Sequence, residues 1–135
     1  MPRTVRAMSH FGNVPAQTLA DALEKHVAKM DDARVASVLR DGLADMPQPA
    51  LEALVASIFD AFRDRGESSE DAAEGANADL DRLERGERGA IESLLTYAAE
   101  NTGLLKEALT VYAEQHAQAI DALPKTLVDG ISERL

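Results

Sequence analysis

The chain has 135 residues, 45% of them hydrophobic and 28% charged, and its 24 acidic against 14 basic side chains give a net charge of −10. A chain of this length buries roughly two-thirds of the surface its unfolded form exposes, so it needs no metal or disulfide to hold a core. There is no cysteine, which removes thiol catalysis and Cys-ligated zinc and fits a reducing cytoplasm.

The charge balance repels phosphate backbones and anionic headgroups, so neither direct nucleic-acid binding nor a membrane surface is expected. No stretch approaches the roughly 18 consecutive apolar residues of a membrane span. Arg3 and Arg6 begin the chain with positive charge, but Ala7 to Asn13 is no apolar signal region, and a cytoplasmic location is expected. Lysines occur only at Lys25, Lys29, Lys106 and Lys125 beside abundant alanine, a pattern expected of a prokaryote with a GC-rich genome or a salty cytoplasm.

Residues 1–13 lack periodicity and read as a flexible arm before a helical domain over 14–135. Pro15 suits a first helical position, and helix one runs from 15 to 30 on Leu19, Leu23, Val27 and Met30. Asp31 and Asp32 cap a second helix with Val35, Val38, Leu39, Gly42, Leu43 and Met46 as its stripe. Met46-Pro47-Gln48-Pro49 ends it, because proline disfavours helical geometry in the preceding residue. Pro49 opens helix three, whose stripe of Leu51, Leu54, Val55, Ile58, Phe59 and Phe62 closes at Gly66.

Ser68 and Asp71 approximate a capping box for an acidic fourth helix over 69–85. It offers only Ala72, Ala73, Ala76, Leu80 and Leu83 to a core, and Gly75 within it costs about 1 kcal/mol against alanine. Helix five covers 90–101 with Ile91, Leu94, Leu95 and Ala98. Helix six runs from about Thr102 to 122 through Leu105, Ala108, Leu109, Tyr112, His116, Ile120 and Leu123. Pro124 opens a short last helix with Leu127, Val128, Ile131 and Leu135. Nothing alternates with period two. The expected fold is all-α, a single compact bundle of six to seven helices. Met46-Pro47 and Leu123-Pro124 each precede a similar apolar stripe, so two three-helix units joined by the acidic helix are a second arrangement to weigh; proline starts are common enough to arise singly.

The motifs mostly argue against chemistry. A di-iron bundle needs Glu-x-x-His pairs on one helix face, but Glu24 and Glu114 stand two positions before His26 and His116, about 200° round a helix. Asn77-Ala78-Asp79-Leu80-Asp81 begins like a calcium loop, yet the glycine and glutamate such a loop needs are Arg82 and Arg88. There is no phosphate-cradling glycine loop and no Gly-x-Ser-x-Gly elbow. No catalytic residue, metal or cofactor is expected.

Two features remain. Glu70, Asp71, Glu74, Asp79, Asp81 and Glu84 form an acidic face suited to a basic protein partner. Acids first and arginines last is also the order that a solvated helix's dipole favours, and that is the simpler reading. His116 sits on an apolar stripe four residues after Tyr112, so the pair is a candidate pocket; a core-edge histidine bonded to a carbonyl or a tyrosine is the plainer alternative. The sequence therefore predicts a non-catalytic regulatory or protein-interaction protein, self-associating through an apolar helix face. An acidic inhibitor or immunity-type protein is the first alternative, and a small helical enzyme or ligand carrier with a pocket at Tyr112 and His116 the second.

Overall fold

The computed structural model describes Phe11 and residues 14–135. Most of the expected arm therefore lies outside the described residues, but Phe11 within it is buried against the core. Among the described residues there are eight α-helices, two 3-10 segments and no strand. The fold is an all-α bundle. In order come α1 (Ala16–Val27), α2 (Asp32–Gly42), a 3-10 turn (Leu43–Asp45), α3 (Gln48–Asp64), α4 (Ser69–Gly75), α5 (Leu80–Glu84), α6 (Arg88–Ala98), α7 (Leu104–Gln115), a 3-10 segment (Ala117–Ala122) and α8 (Lys125–Glu133).

Local chemistry sets these boundaries. The Asp31 carboxylate accepts the Arg34 N–H at 2.8 Å and caps α2. Asp32, expected to share that task, instead accepts the Gly103 N–H on both carboxylate oxygens at 3.0 Å, which ties the start of α2 to the start of α7. Ser68 Oγ accepts the Asp71 N–H at 3.1 Å and opens α4. Pro49 stands in the first turn of the 17-residue α3, where a missing N–H costs nothing.

All six stripe residues of α3 are buried. α7 packs along both α1 and α3, and α8 packs on α1. The two halves of the chain thus share one core around α7 instead of standing as separate three-helix units. Leu19, Leu23, Leu54, Ile58, Phe62, Leu105, Leu109 and Tyr112 fill its centre.

The acidic helix differs from expectation: it is two short helices. Asn77 takes the left-handed conformation with φ of 57°, its N–H donates to Glu74 O, and the Ala78 N–H donates to Ala73 O, both at 3.0 Å. This pair of bonds is a Schellman end, and asparagine tolerates the left-handed position better than most residues. Gly75 is required there. A Cβ on it would lie 2.3 Å from Cζ of Tyr97.

Helix six also stops early, at His116 (φ −129°, ψ 43°). The stretch after it tightens to 3-10, with Leu123 N–H donating to Ile120 O at 3.2 Å. Pro124 has no N–H to offer that carbonyl in an α-helix, so the tighter bond is the one available.

Candidate binding surfaces

The six acidic candidates are all exposed, but the break at Asn77 distributes them over two elements. Glu70, Asp71 and Glu74 belong to α4, Asp79 occupies the position before α5 without a side-chain capping bond, and Asp81 and Glu84 lie on α5. None forms an ion pair with the described residues, whereas Glu87 takes both Arg82 (2.8 Å) and Arg85 (2.7 Å). Those two guanidinium bonds, Arg85's first, hold the Glu87 carboxyl below its ordinary value. The arginines therefore neutralise Glu87, at the end of the same acidic stretch, and leave the six carboxylates facing solvent. Asp71 and Glu74 also border a shallow depression beside Tyr97, whose hydroxyl donates to Glu67 Oε2 at 2.7 Å. That bond, and burial after it, pushes the phenol up from its ordinary value.

Tyr112 and His116 are close, with ring centroids 5.8 Å apart and planes tilted by 53°, yet they play different parts. Tyr112 is fully buried and its hydroxyl donates to Ala119 O at 2.7 Å. Burial, and then the charge of Asp121, pushes its phenol up from the ordinary value. It is a peg that fastens the 3-10 segment to the core, and it takes no part in lining the groove beside His116. His116 is half-buried and faces outward, with no side-chain hydrogen bond to the described residues.

His116 instead borders a groove of about 690 Å³ between the first turns of α3 and the 3-10 segment. Pro47, Pro49, Ala50, Ala53 and Ala56 form one side, and Ala119 and Ala122 the other. Glu52 stands on the α3 rim, where its carboxylate accepts from Gln48 Nε2 at 3.3 Å, and Gln118 and Asp121 stand on the opposite rim. The volume lies in the range of ligand pockets, which are mostly apolar with a few polar groups. The sequence reading missed this groove. Its faint signal was Ala50, Ala53 and Ala56, spaced by three on α3 beside the leucine stripe.

Both walls are braced from behind. Tyr112 holds the 3-10 side, while Arg88 holds the turn leading into α3, its Nε donating to Leu43 O at 2.9 Å and its second terminal nitrogen to Met46 O at 2.7 Å. A cleft whose walls are each tied to the core is a preformed one, and binding to it costs little ordering.

Among the described residues no cluster of His, Asp and Glu is arranged to hold a metal ion, and no helix is long and apolar enough to cross a membrane. No protein-family model, curated protein or solved structure matches the chain.

Proposed function

We propose that this chain is a non-catalytic protein-interaction module that receives part of a partner in the groove between α3 and the 3-10 segment. The observation that carries this reading is the groove itself: a braced apolar concavity on a surface where, among the described residues, only Leu135 exposes a large hydrophobic side chain. Apolar concavity of this kind marks interaction sites more often than it marks nothing. The same surface gives little support to self-association through an apolar helix face, since Leu135 alone, at 54% exposure, makes no face.

The test is a peptide-display selection on the wild-type protein and on Ala56→Trp, a variant at an exposed lining position that fills the groove without altering charge. Peptides enriched on the wild type are expected to lose at least tenfold in affinity for the variant, with the helical circular dichroism unchanged. Equal binding to both proteins refutes the groove as the binding element.

A second reading, an inhibitor that docks its acidic face on a basic protein, is favoured by one observation. The six carboxylates of α4 and α5 are exposed and unpaired with the described residues. It predicts capture of a basic protein that weakens steeply with added salt and that persists in Ala56→Trp.

A further inference from the structure

Resting on the groove reading above, the chemistry of the groove narrows its occupant. We infer that it takes a single amphipathic α-helix of a partner protein, apolar at i, i+3 or i+4 and i+7, with lysine or arginine where that helix crosses the rims.

The helical form follows from what the other recurring modes of peptide recognition need. Adding a strand needs an open sheet edge, and the described residues contain no strand. A polyproline segment needs an aromatic-lined cleft, and the lining here is mostly alanine and proline with His116 as its one aromatic ring. Phosphopeptide recognition needs converging arginines, and no arginine lines the groove. Helix-in-groove docking needs an apolar trough between two elements, with small residues that let another backbone come within the 8–10 Å typical of packed helices. Ala50, Ala53 and Ala56 on one wall and Ala119 and Ala122 on the other supply that.

The sign of the charge follows from a comparison of magnitudes. The N-terminal turn of α3 lies along one end of the groove and carries the equivalent of about half a positive charge. Against it stand two lining carboxylates, Glu52, exposed on the α3 side, and Asp121, half-buried on the 3-10 side, and beyond them a molecule of net charge −10. The field at the mouth is therefore negative, and it steers cationic segments in while turning acidic ones away.

The experiment is a selection from two peptide libraries with randomised faces and flanks, one helix-constrained and one unconstrained, read by sequencing and followed by affinity measurement on the best winner. Expected are winners with an i, i+3/i+4, i+7 apolar pattern and net positive flanks. Their affinity should fall at least tenfold in Ala56→Trp and about threefold or more in Glu52→Gln, an exposed substitution that leaves the fold intact. Groove-dependent winners with neutral or acidic flanks, or an unchanged affinity in Glu52→Gln, overturn the charge assignment and leave the groove reading standing. Groove-dependent winners that come only from an unconstrained library, with no helical pattern, overturn the helical assignment in the same way. Winners indifferent to Ala56→Trp, or none above the unselected background from either library, overturn the groove reading and this inference together.

Discussion

The centre of the bundle and its acidic corner are built on opposite terms. In α1, α3 and α7, leucine, isoleucine and phenylalanine recur at helical spacing and end fully buried. In α4 and α5, helices of seven and five residues, the buried contribution within the helices is Ala72, Ala73 and Leu83. Helices so short do not stand by themselves, and their form comes from what they pack on. For α4 part of that support is Tyr97, stacked on Phe62 with centroids 5.4 Å apart and with the hydroxyl end of its ring close against Gly75. Where apolar periodicity is strong the sequence sets its own structure; where it is weak, a distant ring does.

The sharpest way to break this contrast is a cavity at the centre. Leu109→Ala on α7 removes a fully buried side chain and is expected to lower unfolding free energy by about 2–5 kcal/mol in denaturant titration. A loss below about 1 kcal/mol would show that the centre is no better packed than the corner.

Next in size is Gly75→Ala. Helix propensity alone predicts a gain of about 1 kcal/mol, but the new methyl would meet the Tyr97 ring, and a loss of about 1–3 kcal/mol is expected instead. Repeating the change in a Tyr97→Ala background tests the cause, because there it should become neutral or stabilising.

A third test uses acid. The His26 ring lies against Gly130 of α8, where a Cβ would sit 2.3 Å from it, and its Nε2 is buried with no hydrogen-bond partner among the described residues. Burial, then the charges of Arg134 and Lys29, lowers its pKa from 6.5, with Glu133 and a backbone hydrogen bond at Thr126 pulling the other way. The unfolded chain thus binds this proton more readily than the folded one. The His26 contribution is fully present above about pH 6.5 and is lost as the pH falls through the depressed folded value. Thermal melts should show a decline beginning near pH 6.5 that is flattened in His26→Gln; identical profiles would count against it.

The smallest effects belong to the acidic corner. Changing any one of Glu70, Asp71, Glu74, Asp79, Asp81 or Glu84 to its amide is expected to move stability by no more than about 0.5 kcal/mol, since all are exposed and unpaired with the described residues. A larger loss from a single change would give that corner a structural role its geometry does not supply.

The legible parts of the fold were those written in local pattern. The Pro47–Pro49 break, the α3 stripe and the Gly66 stop follow from neighbouring residues, and all stand in the structure. What stayed hidden depends on pairs far apart in the chain: Asp32 with Gly103, 71 residues away, or Tyr97 with Glu67, 30 away. The left-handed Asn77 was hidden for another reason, because one tolerant residue within a helical pattern does not announce that it will be used. The candidate site was half legible. His116 was picked out for its place on an apolar stripe and does border the groove, while Tyr112 proved to be the peg behind the wall. The alanines that line the groove carry no chemical signature, and only the fold brings 47–56 opposite 116–122.

Tyr112's bond to the Ala119 carbonyl also gives the molecule an intrinsic optical reporter. With no tryptophan in the chain, ultraviolet emission excited above the phenylalanine band comes from two phenols, one bonded within the core and one beside the acidic corner. Replacing Tyr97 by phenylalanine leaves one emitter, anchored to the segment that walls the groove, so movement of that wall on ligand capture would register as light with no label attached.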